Sequence, residues 1–266
     1  MSTVPRPATS TAREAVVLLE RRGGVLLVTI NRPEARNAIN LETAQALGEA
    51  MDELDADDRL IAAVISGAGG TFCAGMDLKA FLTGERPSLP RQGFAGIVES
   101  PPQKPLIAAV EGYALAGGFE IALSCDLIVA ATNARFGLPE VKRGLVAAGG
   151  GLMRLREQIP FHRAVEWALL GDLITAQEAA ESGLITRLVQ PGSAREEALH
   201  LAARIAENGP LAVRATKKVL VQSSDWPLAE RFVRQREITE PVRGSFDANE
   251  GARAFAEKRR PVWRGQ

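Results

Sequence analysis

The stretch from Pro105 to Thr132, PLIAAVEGYALAGGFEIALSCDLIVAAT, constrains the fold of this chain more than any other. Almost every residue in it is apolar or small, yet it carries the acids Glu111, Glu120 and Asp126. Leu106–Val110 and Leu127–Ala131 are short aliphatic runs, the pattern of strands covered on both faces of a sheet. Between them Ala116-Gly117-Gly118 breaks the pattern, and Phe119–Cys125 resumes it with helix-forming residues. A strand, a glycine turn and a helix start therefore meet just before Glu120. That geometry aims free backbone N–H groups at one point and sets a carboxylate beside them. A carboxylate in apolar surroundings is costly to bury unless something uses or satisfies it.

Around this centre the chain alternates strand and helix patterns. Val25–Ile30 and Leu60–Ser66 read as strands. Residues 41–56 read as a helix, with Leu41, Ala44, Leu47, Met51 and Leu54 at helical spacing, Asn40 as its cap and acids on its outer face. Residues 83–105 hold five prolines and read as a lid-like loop around a short helix. Thr175 and Glu178 have capping-box spacing, and Gly183–Val189 reads as a further strand. Helices are predicted over 194–207, 210–222, 226–238 and 244–259. The pattern is that of an α/β core with a helical C-terminal part. We divide it as a disordered tail over 1–14, helix-like from about Arg13 onward, a core over 15–200 and a helical region over 201–266.

Bulk properties remove several function classes. Formal net charge is zero, so nothing favours nucleic acid or an anionic membrane. No apolar run reaches the length of a membrane span, and residues 1–13 lack the apolar core of a secretory signal. A cytoplasmic location is expected, with Cys73 and Cys125 as reduced thiols outside any metal-ligand spacing. Neither Ser66 nor Ser124 sits in a nucleophile elbow, and no dinucleotide or phosphate loop occurs. His162 and His200 lie in helical segments without a partner at informative spacing.

What remains is a set of glycine-marked turns behind strands, at 67–77, 114–120 and 137–151. Gly117 and Gly118 let the backbone approach a ligand without an intervening side chain. Glu120 and Glu140 each follow such a turn, Glu140 directly after Pro139. Taken singly, either acid is explained by the favourable site of a negative charge in a helix's first turn. Together, with N–H donors nearby, they suggest paired carboxylates for acid/base work beside a stabilised oxyanion.

Several segments, in order, resemble the crotonase (enoyl-CoA hydratase/isomerase) superfamily from Val25 to Lys258. They are Asn31-Arg32-Pro33 with Asn37-Ala38, Phe72 to Lys79, Lys104 to Val110 running into Gly112-Tyr113-Ala114, Ala116 to Glu120, Cys125-Asp126, Phe136 to Glu140, and Ala254 to Arg259. The resemblance implies a spiral of strand–strand–helix turns with a helical trimerisation region, in a homotrimer or dimer of trimers. It implies an acyl-CoA thioester substrate, with coenzyme A part of that substrate, no separate cofactor and no metal. The backbone N–H groups of Met76 and Gly117 would form the oxyanion hole. Glu120 would orient and activate water and Glu140 exchange the proton at C2, giving reversible hydration of a 2-enoyl-CoA.

The same resemblance places Ala74, Met76, Asp77, Leu78, Lys79 and Gly118 around the CoA thioester. Arg36 is set to reach a phosphate, and Phe255 and Lys258 to reach a neighbouring subunit's CoA. Other crotonase reactions compete: dehydration of a functionalised 3-hydroxyacyl-CoA such as carnitinyl-CoA, or double-bond isomerisation. One relative binds RNA through a lysine-rich helix, but helix 41–56 here contains neither Lys nor Arg. Departures from the family pattern are Glu111 for a common Asn, Ala116 for a first glycine, and Ala147-Ala148 for a common Pro-Gly.

Overall fold

The computed structural model describes residues 15–266, so the tail expected over 1–14 lies outside the described residues. The chain opens on two strands, β1 (Val17–Arg22) and β2 (Val25–Ile30), followed by helix α1 (Leu41–Ala56) and β3 (Ala62–Gly67). Helix α2 (Leu78–Leu82), the short strands β4 (Ser88–Leu89) and β5 (Gly93–Phe94), and β6 (Leu106–Val110) come next. Then follow β7 (Tyr113–Leu115), α3 (Gly117–Ser124), β8 (Leu127–Ala131) and β9 (Arg135–Gly137). Past α4 (Gly151–Gln158) and α5 (Phe161–Leu170) lie β10 (Ile174–Thr175), α6 (Ala176–Glu181) and β11 (Arg187–Val189). Four helices end the chain: α7 (Ala194–Ala206), α8 (Pro210–Gln222), α9 (Arg231–Arg243) and α10 (Phe246–Ala256).

The main sheet has the order β1-β2-β3-β6-β8-β11, parallel throughout except for the β1–β2 hairpin. Alternation along the strands explains why they read as unbroken aliphatic runs. Val25, Leu27, Val64, Ile107, Ala109 and Val129 face α7, where Ala194, Ala198 and Ala202 let the helix lie close. Leu26, Val28, Ile65, Ala108, Val110 and Ile128 face the opposite way, into a larger core with Leu47 and Leu54 of α1 and Phe119 of α3. The central strands β2, β3, β6 and β8 are thus buried on both faces. At about 25 cal/mol per Å² of apolar surface removed from water, this double burial is the main force holding the sheet.

Local signals hold where backbone chemistry decides them. Asn40 Oδ1 accepts from Thr43 N–H (3.0 Å) and caps α1, and Thr175 with Glu178 forms the full capping box of α6. Four expectations need correction. The helical pattern expected from about Arg13 onward does not hold over the described residues: Val17–Arg22 is the edge strand β1, drawn out by antiparallel pairing with β2. Residues 83–105 contain no helix; the short helix α2 precedes them, and the loop folds instead as the β4–β5 hairpin. Only Arg187–Val189 of the predicted strand 183–189 pairs with β8. The helix expected over 226–238 runs from Arg231 to Arg243 and holds Pro241 inside its last turns. There an absent N–H costs one late hydrogen bond rather than the helix. No helix of the described residues is long and apolar enough to cross a membrane.

The second sheet, β10-β9-β7, sets the site. At the end of β6 the chain turns through Gly112 (φ 56°), where a Cβ would come within 2.4 Å of the Gly70 carbonyl oxygen, so only glycine fits. The chain then enters β7, pairs in parallel with β9, and reaches the start of α3.

Candidate active site

Residues 72–77 are laced between two other segments. On one side Cys73 N–H donates to Tyr113 O (2.9 Å) and Leu115 N–H to Cys73 O (3.0 Å). On the other, Ile39 N–H donates to Gly75 O (2.8 Å) and Asp77 N–H to Ile39 O (2.9 Å). In such a bridge the Met76 N–H between them points away from Ile39. Gly75 packs against the start of α3: a Cβ there would lie 3.2 Å from Gly117 N and 2.9 Å from Ala116 Cβ. Gly117 is the first residue of α3, so its N–H has no acceptor within the helix. Two chain segments distant in sequence thus bring a free helix-start amide beside an extended loop.

The glycines here are required by close approach. A Cβ on Gly118 would meet the Cys73 carbonyl oxygen at 2.1 Å, and one on Gly117 would meet the Phe94 ring at 2.5 Å. Ala116, immediately before them, holds φ 51° and ψ −128°, a conformation that glycine adopts without strain. The sequence reading identified Ala116 as a departure from glycine but gave no sign of this strain.

Glu120 rises from the first turn of α3 and is only 4% exposed. Its Oε1 accepts from Gly151 N–H (3.0 Å), and Gly149 packs so tightly on the carboxylate that a Cβ there would meet Oε2 at 2.6 Å. Burial pushes its carboxyl above the usual carboxylate range; the Gly151 and Gly149 N–H groups and the Arg154 guanidinium pull the other way. Glu140 opens the single helical turn Pro139–Arg143 with Pro139 at its first position. It is half-buried, and its Oε2 is buried with no hydrogen-bond partner among the described residues. Burial is also the main cause that raises its carboxyl; its own N–H lowers it and the nearby charge of Glu120 raises it. The two acids therefore lie within reach of each other's charge in unlike surroundings: Glu120 accepts from the Gly151 N–H, whereas Oε2 of Glu140 has no partner among the described residues.

The other predicted residues have varied placements. Asp77 forms an ion pair with Arg32 (3.0 Å) and accepts from Lys79 and Ala80 N–H as the cap of α2, so its side chain holds the loop together. Ala74 N–H donates to Arg36 O (3.1 Å), Arg36 itself is exposed in a left-handed conformation, and Leu78 and Lys79 are exposed on α2. Arg36 is thus joined by a backbone hydrogen bond to the 74–79 segment that carries Met76. Phe255, 87% exposed, and Lys258 sit at the end of α10, which packs on α9. The acid Glu111 is no part of this site: its Oε1 accepts from Gly192 and Ala194 N–H (3.0 Å each), holding the start of α7.

Several residues near the site escaped sequence reasoning. Asn37 is buried and pins the 68–71 turn by donating to Ala68 O (2.8 Å) and Thr71 O (2.6 Å). Phe94 comes from the β4–β5 hairpin to lie on Gly117, and Arg154 projects from α4. A glycine cluster at 149–151 was visible in the sequence, but nothing in its spacing tied it to Glu120. His162 and His200 are exposed, as ordinary surface histidines are.

Comparison with known proteins agrees with this geometry. The family model described as enoyl-CoA hydratase/isomerase matches residues 20–266. A Mycobacterium tuberculosis protein, enoyl-CoA hydratase EchA19, is 44% identical over 255 residues, 92% of this chain and 94% of its own. A carnitinyl-CoA dehydratase of Salmonella typhi is 42% identical over 93% of this chain and 98% of its own. The crystal structure of enoyl-CoA hydratase EchA1 from Mycobacterium marinum superposes with a TM-score of 0.94 at 55% identity, covering 95% of this chain and all of the other (100%). A match across nearly the whole chain, with the strand–turn–helix site intact, leaves one conclusion: this protein belongs to the enoyl-CoA hydratase/isomerase, or crotonase, family.

Proposed function

We propose that the protein is a hydro-lyase that adds water reversibly across the C2–C3 double bond of a 2-enoyl-CoA thioester. The observation that carries this reading is the pair of neighbouring carboxyls in unlike environments, buried Glu120 held by N–H groups and half-buried Glu140 with a partnerless oxygen. Glu120, held by the Gly151 N–H, takes a proton from a water molecule, whose oxygen bonds to C3. The electrons of the double bond move onto the thioester oxygen, and the N–H groups of Met76 and Gly117 stabilise that enolate, an effect worth about 3 kcal/mol per donor. Glu140, whose carboxyl is raised by burial and by its neighbour's charge, gives its proton to C2. Transfer of a proton from Glu120 to Glu140 restores the starting state. Water is consumed and a 3-hydroxyacyl-CoA formed, with no redox change and no cofactor beyond the CoA of the substrate.

Arg36, Ala74, Met76, Asp77, Leu78, Lys79 and Gly118 would line the CoA path, Asp77 by shaping the loop. The family's homotrimer, or dimer of trimers, suits the apolar side chains left in the open in the C-terminal helical region, among them Leu228 (80% exposed) in the turn before α9 and Phe232 (74%) on α9. In that assembly Phe255 and Lys258 would reach a neighbouring subunit's substrate. Sedimentation equilibrium tests the assembly.

A second reading, dehydration of carnitinyl-CoA, draws on the Salmonella relative and needs the same two acids. Hydration of crotonyl-CoA by wild type and Glu120→Gln separates the possibilities. A hydratase loses at least a hundredfold in kcat with Glu120→Gln, whereas an isomerase working through Glu140 keeps most of its double-bond migration. A wild-type protein that leaves crotonyl-CoA untouched but dehydrates carnitinyl-CoA refutes the first reading in favour of the second.

A further inference from the structure

Arg154 stands behind the loop that holds Glu120, and among the described residues neither acid makes an ion pair with it. Its backbone N–H donates to Gly150 O (3.1 Å), and its guanidinium Nη2 donates to the Val98 carbonyl. Nη1 lies over Gly150, so closely that a Cβ there would stand 2.6 Å away. Gly150 is flanked by Gly149 and Gly151, the two residues that press on the Glu120 carboxylate. The guanidinium therefore backs the loop whose front holds Glu120, and ties it to the buried Ala95–Val98 segment behind the β4–β5 hairpin. A half-buried cation whose direct partner is a carbonyl oxygen gives up part of its hydration without an ion pair in return.

We infer that Arg154 is a positioning residue for Glu120, a half-buried cation clamped between the Val98 carbonyl and the 149–151 loop so that the loop holds the glutamate in a single orientation with a positive charge behind it. This rests on the reading of Glu120 as the base. The groups that face the pair are few. Glu120 meets the Gly149 and Gly151 N–H groups, Arg154 and, from the Pro139–Arg143 turn, Glu140, which also feels Arg143. Arg154 meets Glu157 and Cys125 as well as Glu120. Of these, only Arg154 supplies a full positive charge to Glu120. The two N–H groups are the larger opponents of burial at Glu120, and Arg154, behind the loop that presents them, adds its charge to theirs.

The experiment is a titration of the Glu120 carboxyl in the substrate-free protein by infrared difference spectroscopy, its band identified by loss in Glu120→Gln. Arg154→Gln, which keeps a donor for the Val98 carbonyl, should raise the midpoint by roughly one unit or more. Arg154→Lys should return it close to wild type. The acid limb of kcat/KM for crotonyl-CoA should move with the midpoint, activity recovering above it. Should Arg154→Gln not fold, Arg154→Met provides the same charge removal with a packed apolar stem. An unmoved midpoint in either folded neutral variant overturns the inference. A midpoint that moves in a protein turning over no enoyl-CoA sustains the Arg154–Glu120 link and refutes the hydratase reading instead.

Discussion

Replacing Glu140 by glutamine separates what the site costs from what it does. The Oε2 atom of Glu140 is buried with no partner among the described residues, and its carboxyl is raised by burial and by Glu120. A buried, unsatisfied polar group costs about 1–3 kcal/mol. Glutamine keeps the shape and removes the charge but leaves an unpartnered amide, and Glu140 is only half-buried. We therefore take the low end, a gain of about 1 kcal/mol, or about 2 °C in Tm for a chain of this size. The sign follows from proton linkage. A folded-state pKa above the unfolded value means that the native protein binds protons more tightly, so wild-type stability falls as pH rises from about 4.5 through the raised value. The advantage of Glu140→Gln is thus absent below about pH 4.5 and grows to its full size at alkaline pH. The assay is thermal unfolding of both proteins from pH 4 to 8 at one protomer concentration, since association shifts Tm. The same variant should lose at least a hundredfold in crotonyl-CoA hydration. A Tm difference that is constant with pH, or a variant less stable at pH 8, refutes the claim that an unpaired carboxylate is held there.

Further outcomes follow from other contacts. Gly117→Ala drives a Cβ into the Phe94 ring, 2.5 Å away, and should lower kcat by roughly 100-fold with little change in KM, as measured in steady-state hydration. Ala116→Gly removes a strained side chain at φ 51° and should stabilise by up to about 1 kcal/mol in urea unfolding; destabilisation would remove the strain argument. Glu111→Ala leaves the Gly192 and Ala194 N–H groups without their shared acceptor, so it should cost about 1–2 kcal/mol of stability while kcat stays at wild type. Cys73 is fully buried, and burial pushes its thiol up to about 12. Iodoacetamide at pH 8 should therefore leave it unmodified until the protein unfolds, as read by mass spectrometry.

Much of the scaffold was legible because it depends on neighbours in the chain. Aliphatic runs such as Leu106–Val110 signal strands buried on both faces, and Asn40 and Thr175 announce helix starts through hydrogen bonds that span three residues. The Val17–Arg22 strand was not legible, because its residues alternate weakly and take their conformation from pairing with β2. The β4–β5 hairpin was likewise hidden: proline spacing marks a break in helix but does not say what the broken segment rests on.

Sequence alone determined that a strand, a glycine turn and a helix would converge before Glu120, and that Glu140 would follow a proline-marked turn. Those features are local, set by dihedral preference and the side-chain period. Tertiary structure alone decided that the Gly151 N–H, 31 residues from Glu120, would grip its carboxylate. It likewise decided that Glu140 would be left without a donor, and that Phe94 and Arg154 would close in from other elements. The order of strands in a sheet and the packing of helices on it place such groups, and no spacing along a chain encodes a meeting between residues that only burial brings together.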